Sequence, residues 1–211
     1  FYIVKTRPPA VYRGNPFQIE VGIAWGHAGG TNLAVDRKGH INKVAQHRRD
    51  ASEALLLHAD EPAHVLRFAN RVPLLYEQGG CAITQAVLQT NWRNYGLKQP
   101  KGALPIAPMA ILVHLASVWV PFTSEAKEAI AQYPEIIKEL KLGLQECARR
   151  LAEHLRRETR LQNEYEKRTH IEKYLPHVGI ALQDILHLSD AQRDQAVRKL
   201  DDSLHKSRKI K

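Results

Sequence analysis

The strongest constraint on the fold is an apolar stripe in the last third of the chain. Six apolar side chains recur there at steps of three and four residues: Ile136, Leu140, Leu144, Cys147, Leu151 and Leu155. This spacing places them on one side of an α-helix, which must bury that side against another element. Pro134 is acceptable in a first helical turn, and Glu135 suits the positive end of the helix dipole. The stripe therefore predicts a long helix that begins at Pro134.

The stripe thins beyond Leu155, because the stretch RRETRLQNEYEKRTH contains only Leu161 and Tyr165 as large apolar residues. A helix that loses its apolar side leaves the core, so we expect it to continue as a solvated stalk. Pro176 lacks the N–H group that a helix interior requires and should interrupt the helix. The pattern predicts a stalk helix over residues 134–175.

The last segment, residues 176–211, combines a weak amphipathic pattern with a polar, charged stretch. Such a segment is either disordered or orders on a partner. Exposed apolar side chains need a partner to bury them, which makes residues 173–188 a candidate docking segment. These side chains are Leu175, Ile180, Leu182 and Ile185.

Two runs upstream of the helix have the character of strands. The run MAILVHLASVWVPF is the most apolar in the chain and is rich in β-branched residues, which predicts a central strand covered on both faces and ended by Pro121. In PFQIEVGIAWG, one face of a half-buried strand collects Phe17, Ile19, Val21 and Ile23.

The remaining stretches are less regular. Residues 27–63 show no sustained period, so we expect a long, variable excursion with a short helix near ASEALLLHA. Residues 65–76 are strand-like, and Pro73 requires an edge position, a bulge or a strand end. CAITQAVLQT has helical spacing. Together the elements predict a mixed α/β fold with a core over residues 1–133.

Composition narrows the class of protein. Lys and Arg number 31 against 22 Asp and Glu, which gives a net charge of +9. Such a charge attracts phosphate without specificity, so charge alone makes a nucleic-acid partner and no such partner equally plausible. No run reaches the roughly 20 apolar residues of a membrane span. Residues 1–7 lack the apolar region of a signal peptide. Phe1 is no ordinary start residue, so we expect a processed chain or, preferably, a piece of a longer protein.

Independent catalysis is not indicated. The 11 histidines contain no zinc-ligand spacing, and neither common Gly-rich phosphate loop is present. Ser117 and Cys81 lack a recognisable base nearby. Cys81 and Cys147 show no pairing pattern and are interpreted as reduced core thiols. These observations favour a module that binds or transmits, with no metal site.

Two short elements could contact phosphate. In NWRNYG, Trp92 and Tyr95 bracket Arg93, an aromatic and cationic mixture used against nucleic acids, although packing of the two rings on the core is the alternative. In VPFTSEAKEAIAQYP, Lys127 lies in a turn between a strand and the long helix. A lysine there is either a solvated charge or a mobile point charge that reaches a phosphate.

At these residues the sequence resembles a known family. The blocks FYIVKTRPPAVYRGNPFQIEVGIAWG, RFANRVPLLYEQGGCAITQAV, NWRNYGLKQPKGALP and ILVHLASVWVPFTSEAKEAIAQYPEIIKELKLGLQECARRL are similar to the C-terminal half of the ATP-binding B subunit of DNA topoisomerase VI, a type IIB enzyme. The likeness covers residues 1–26 and 64–180, and residues 27–63 are not matched. It places the chain at the transducer domain of that protein.

The resemblance implies an α/β (α+β) transducer with a four-stranded sheet, helices on one face, a left-handed β-α-β crossover and a long C-terminal stalk helix. It also implies that RFANRVPLLY is structural. Phe68, Val72, Leu74 and Leu75 would supply core, and Asn70 and Arg71 would fix a turn or a domain contact.

The resemblance gives two elements a role. Lys127 matches a switch lysine that touches the γ-phosphate of ATP in a neighbouring domain, so that hydrolysis becomes a change in domain position. NWRNYG matches a W-K-x-Y element associated with DNA contact, with Arg93 in place of its lysine. Trp92, Arg93 and Tyr95 are therefore the DNA-binding candidates.

As a whole, the resemblance implies a fragment, inactive alone, that couples ATP hydrolysis to DNA strand passage. ATP and Mg²⁺ would bind mainly in an absent N-terminal domain of the GHKL ATPase type. The partners would be the DNA-cleaving A subunit of topoisomerase VI, a second B subunit in an A2B2 heterotetramer, and double-stranded DNA in a cytoplasmic, nucleoid-associated setting. Two alternatives remain: a non-enzymatic adaptor of a DNA-break complex, which Lys127 argues against, and a free-standing basic nucleic-acid-binding domain.

Overall fold

The computed structural model of the chain describes residues 1–26, 33–35, 41–43 and 59–207. The chain divides into two compact units. The first comprises Phe1–Gly30 and Ala51–Leu155, and the second comprises Thr31–Asp50 and Arg156–Lys211. The division falls inside the long helix, at the point where its apolar stripe thins in the sequence.

The first unit is built on one mixed sheet. Its strands are β1 (Tyr2–Thr6), β2 (Ala10–Tyr12), β3 (Asn15–Trp25), β6 (His64–Ala69), β7 (Val72–Pro73) and β8 (Met109–Ser117). Two further strands, β4 (Leu33–Val35) and β5 (Ile41–Lys43), belong to the second unit and pair with each other. The order across the main sheet is β1-β3-β8-β6-β7, with β2 also paired to β3. β6 and β8 are parallel, and every other pair in the sheet is antiparallel.

The fold class is confirmed, but the sheet has six strands where four were expected. The edge strand beside β3 is split into β1 and β2, because Pro8 and Pro9 lie between them and cannot donate to the ladder. β7 adds two residues that fold back on β6 through the turn Asn70-Arg71. Without these two features the sheet has four strand positions. The left-handed crossover stays a prediction.

One face of the sheet forms the core, and the other is open. The inward side chains of β3 are at most 4% exposed, and the matching side chains of β8 are fully buried: Phe17, Ile19, Val21 and Ile23, then Met109, Ile111, Val113 and Leu115. The prediction that β8 is covered on both faces is wrong. Leu112, which points to the other face, is 39% exposed, as expected for an antiparallel neighbour pair with one solvated face.

Two helices complete the core of the first unit. α1 (Ala82–Gln89) confirms the predicted helix after residue 80 and buries Ile83, Ala86 and Val87. α2 (Pro134–Leu186) begins where the stripe predicts, and its stripe residues from Ile136 to Leu151 are at most 1% exposed. The two cysteines are free and buried, and burial raises the pKa of Cys147 to about 11. The thiol is therefore an inert part of the core.

α2 runs through Pro176, so the prediction that this proline interrupts the helix is wrong. A proline inside a helix costs about 3 kcal/mol. The turn that follows is held by a second helix, because a Cβ atom placed on Gly179 would overlap the side chain of Val197. α2 ends instead at Leu186, where His187 adopts a left-handed conformation with φ of 51° and the Leu188 amide donates to the Gln183 carbonyl at 3.2 Å.

The C-terminal segment forms a helix, α3 (Asp190–Ser207). The disordered alternative is therefore wrong for these residues. Ser189 and Gln192 make a capping box. The backbone N–H of Gln192 donates to Ser189 Oγ at 3.4 Å, and the backbone N–H of Ser189 donates to Gln192 Oε1 at 2.9 Å. The helix predicted near ASEALLLHA lies outside the described residues.

The fold yields a stability prediction at Gly143, which lies in the middle of the first unit's part of α2. A Cβ atom placed there would lie 2.9 Å from Cγ2 of Val21, a short and fully buried side chain. Gly143→Val should lower the free energy of unfolding by about 2–3 kcal/mol, because the added side chain overpacks the helix against β3. Denaturant unfolding of the 211-residue chain measures the change.

Gly79→Val is the matched control, because nothing lies within 4 Å of the Cβ position at Gly79. Its effect should stay within about 0.5 kcal/mol. Equal stability of the two variants would show that α2 does not approach β3 this closely.

Candidate functional site

Lys127 lies at the tip of a closed loop that leads from β8 to α2. The base of the loop is held by two backbone bonds, Thr123 N–H to Ala129 O at 2.9 Å and Ala131 N–H to Pro121 O at 2.8 Å. At the tip, the Lys127 amide donates to the Ser124 carbonyl at 3.2 Å, and Lys127 itself has φ of +57°. Its exposed side chain is thus presented on an ordered turn.

The segment in front of α1 fixes this loop from the side. The Ala82 amide donates to the Ile130 carbonyl at 2.8 Å, and Gln132 Nε2 donates to the Gly80 carbonyl at 2.9 Å. Thr123 Oγ1 adds a longer bond of 3.3 Å to the Glu77 carboxylate. Lys127 is therefore positioned by the core of the first unit.

A surface cavity of about 470 Å³ adjoins Lys127. It is lined by the loop itself, by the exposed Trp119 and by the β2–β3 turn. Arg13, in that turn, brings a second cation to the cavity, and Glu125 brings one carboxylate. The sequence alone did not single out Arg13, because a charged residue beside a glycine is an ordinary surface pattern.

Arg13 is held by two tyrosines at the rim of this cavity. The rings of Tyr12 and Tyr133 lie with centroids 4.4 Å apart, and the Arg13 guanidinium carbon lies 5.4 Å and 5.1 Å from the two centroids. Burial raises the pKa of Tyr12 to about 12, so its hydroxyl is neutral at physiological pH. The stack joins the turn before β3 to the residue that precedes α2.

The structure separates the three DNA-binding candidates. Trp92 is fully buried in a short 3-10 helix (Trp92–Tyr95), and its Nε1 donates to the Val87 carbonyl at 2.9 Å. Tyr95 is half-buried against the same core. Both rings thus have the packing that the sequence left as the alternative interpretation.

Arg93 is the member of the trio whose charge lies at the surface. Its Nε and Nη2 donate to the Gln99 carbonyl at 2.8 Å and 2.6 Å, which fixes the side chain beside the exposed Lys98. Both cations line one cavity of about 440 Å³. The remaining donors of the guanidinium are available to an anion.

Further cations follow the exposed side of α2. In the first unit, Lys138 and Lys141 line a groove of about 500 Å³ with Gln89, Gln132 and Gln145. Arg149 and Arg150 are exposed further along the helix. In the second unit, exposed arginines are found at 156, 157 and 160.

The second unit exposes an apolar stripe on α2. Tyr174, Val178 and Ile185 are 54%, 43% and 73% exposed, and they recur at helical spacing together with Ala181. Another side of the helix packs on α3, where Gln183 bonds to Arg193. Of the predicted docking residues, Ile180 and Ile185 are exposed, and Leu175 and Leu182 are half-buried.

The turn after β6 was interpreted correctly as structural. The Asn70 side chain exchanges two bonds of 2.9 Å with the backbone of Ser117, and the Arg71 amide donates to His114 Nε2 at 3.0 Å. The core assignment of Val72 and Leu75 is wrong, since they are 60% and 67% exposed. Val72 lies in the edge strand β7, directly after the turn, and Leu75 lies beyond the end of that strand at Pro73, so neither is covered by the core.

Arg67 is a buried residue that the sequence pattern did not reveal. It is 3% exposed and lies on the core face of β6, where its Nη2 donates to the carbonyls of Leu74 and Tyr76 at 2.8 Å and 2.9 Å. The cost of a guanidinium in the core is offset by bonds to carbonyl groups that the Pro73 segment leaves free. Arg67 therefore shapes the segment that leads to α1.

The described part of the chain contains neither a candidate metal site nor a candidate membrane-spanning helix. Its His, Cys, Asp and Glu side chains nowhere gather in a group of three or more that could hold a metal ion. Among the same residues, none of the helices combines the length and the apolar character that crossing a membrane requires.

Comparison with known proteins places the chain in a family. The family described as topoisomerase VI B subunit, transducer, matches residues 1–167. The chain is 40% identical over 211 residues to the B subunit of type 2 DNA topoisomerase 6 from Methanosarcina acetivorans, covering 100% of this chain and 30% of that protein. It is 40% identical over 208 residues to the same protein from Archaeoglobus fulgidus, covering 99% and 30%.

A solved structure of the B subunit of DNA gyrase from Myxococcus xanthus aligns with 71% of this chain and 34% of that chain, at 15% identity and a TM-score of 0.38. That similarity is too low to support an argument. The chain spans about 30% of the length of the curated relatives it matches. The resemblance found in the sequence is confirmed, and the chain belongs to the topoisomerase VI B subunit transducer family.

Proposed function

We propose that this chain transmits nucleotide state to DNA strand passage as the transducer of a type IIB topoisomerase. The observation that carries the proposal is the position of Lys127, on an ordered loop whose other end is the first turn of α2. A lysine bound to a γ-phosphate loses its partner on hydrolysis, so the nucleotide changes the preferred position of this loop. α2 then carries the change away from the nucleotide.

The nucleotide, its Mg²⁺ and the DNA-cleaving group belong to other parts of the enzyme in this proposal. The relatives are named as the B subunit of a type 2 DNA topoisomerase, which supports a separate A subunit as partner and DNA as substrate. We place the DNA-cleaving A subunit on the exposed apolar stripe of α2, and we assign a second B subunit and an A2B2 assembly as the functional state. The fragment alone is inactive.

The first test of this function is Lys127→Ala in the complete enzyme. Nucleotide binding should be mostly intact, because the lost contact matters mainly for communication between domains. ATP-dependent strand passage should fall about tenfold or more, the equivalent of one charge-assisted hydrogen bond. Relaxation of supercoiled DNA measures the rate, and normal turnover would remove Lys127 from the mechanism.

The second test concerns DNA. The 211-residue chain should bind duplex DNA weakly, without sequence preference, and with an affinity that falls steeply as salt rises. Arg93→Ala should weaken binding equally for all sequences and reduce the salt slope by about one phosphate contact. A salt titration by fluorescence anisotropy measures both quantities.

Arg93→Lys is the matched control for that test, because it keeps the charge and loses the two bonds to Gln99. It should retain the parental salt slope. Trp92→Ala is unsuitable, since removing a fully buried ring costs about 3–5 kcal/mol of stability. If Arg93→Ala binds as tightly as the parent at every salt concentration, the DNA contact lies elsewhere, and the stalk arginines 149, 150, 156, 157 and 160 are the next surface to test.

The third test concerns the DNA-cleaving partner. Val178→Asp with Ile185→Asp should weaken pull-down of the A subunit at least tenfold, because two carboxylates would enter an apolar contact. Leu66→Asp, an exposed apolar-to-acidic change on the sheet of the first unit, is the control and should leave pull-down unchanged. Full binding by a chain that ends at Thr169 would rule out residues 173–188 as the docking segment.

A further inference from the structure

We propose that Arg13 forms, together with Lys127, a two-cation site for the terminal phosphates of the nucleotide. The inference rests on the proposed function of Lys127 and adds a second residue to it. The two side chains line the same cavity of about 470 Å³, although they lie near opposite ends of the first unit's sequence. Two cations that line one surface cavity fit the terminal phosphates of a triphosphate.

The backbone presents Arg13 outward. It occupies the first position of the two-residue turn between β2 and β3, where Arg13 and Gly14 have φ of +46° and +81°. This turn type favours Asn, Asp or Gly at both positions. An arginine at this position holds an unfavourable backbone conformation, and such strained residues cluster at functional sites.

The side chain of Arg13 is positioned and lacks an acidic partner. The Tyr12 and Tyr133 rings hold its guanidinium carbon within 5.4 Å and 5.1 Å of their centroids. None of the described carboxylates forms an ion pair with it, in contrast to Arg7, which bonds Glu139 at 3.0 Å. Stacking leaves the edge of the guanidinium, which carries its N–H donors, free for an oxyanion.

The rest of the cavity is compatible with an anion. The two cations outweigh the one carboxylate, Glu125, among its lining residues.

An anion bound at this site would also link two elements of the fold. Arg13 precedes β3, and Lys127 precedes α2, so an anion that binds both connects the sheet to the start of the helix. Loss of the terminal phosphate would release both cations at once. We therefore expect the two residues to act as one unit.

The test uses the complete A2B2 enzyme with Arg13→Gln, Lys127→Ala and the double variant. Arg13→Gln should reproduce the Lys127→Ala phenotype, with ATP-dependent relaxation reduced about tenfold. The double variant should be no slower than the slower single variant, because both changes remove contacts to one ligand. Arg13→Lys, which keeps a charge, should recover at least part of the rate.

Arg71→Gln is the matched control, since Arg71 is also an exposed arginine in a two-residue turn with positive φ, at +69°, but does not line this cavity. It should relax DNA at the parental rate. Thermal unfolding of the 211-residue chain separates a folding defect from lost anion contact, and Arg13→Gln should unfold within a few degrees of the parent.

Three results would overturn the inference: a parental rate for Arg13→Gln, losses that multiply in the double variant, or a rate defect in Arg13→Gln that Arg13→Lys does not relieve at all. In each case a depressed Lys127→Ala rate would leave the proposed function standing. A parental Lys127→Ala rate would instead remove the proposed function and this inference with it.

Discussion

The packing of α2 against β3 is the contact on which the rest of the first unit depends. A Cβ atom on Gly143 would lie 2.9 Å from Cγ2 of Val21, so the helix packs directly on this strand side chain. One turn later, the Cys147 thiol lies 3.5 Å from the Val21 carbonyl. Partly buried ion pairs flank this contact, with Arg7 bonded to Glu139 at 3.0 Å. Because this contact fixes the helix, it also fixes Tyr133 just before it, and through Tyr133 the Arg13 turn and the Lys127 loop.

The spacing of apolar residues correctly predicted the elements that bury one face. It did not predict features that depend on a second helix or on a local break in a strand. The alternation from Phe17 to Ile23 identified β3, and the stripe from Ile136 identified α2, because each pattern follows directly from one buried face. Pro176 could not be interpreted correctly from the sequence. Its cost is local, whereas the packing at Gly179 that accompanies it comes from a helix more than ten residues further along the chain. The expected four strands became six for local reasons, chiefly the proline pair that divides the edge strand.

The candidate site was predictable only where a residue's environment follows from its neighbours in sequence. Lys127 was assigned by resemblance, and its loop does lie between a strand and a helix as the sequence indicated. The trio of Trp92, Arg93 and Tyr95 could not be separated in the sequence, because a short 3-10 helix gives successive residues very different exposure. Arg13 could not be found at all. Tyr133 packs on it and Lys127 lines the same cavity, and both come near it through the fold and not through the sequence.

A switch works only if the free energy of its contacts is large enough to shift the equilibrium between two domain positions. Under the proposed function, one lysine bound to a phosphate contributes about 1.5–3 kcal/mol, the range for a hydrogen bond to a charged group. Moving a two-state equilibrium from 1:99 to 99:1 requires about 5.5 kcal/mol. A single Lys127 contact therefore biases the domain position but does not reverse it. Two charged contacts to the same phosphates reach about 3–6 kcal/mol, which meets that requirement at its upper end. Under the inference drawn above, Arg13, which lines the cavity beside Lys127, supplies the second contact.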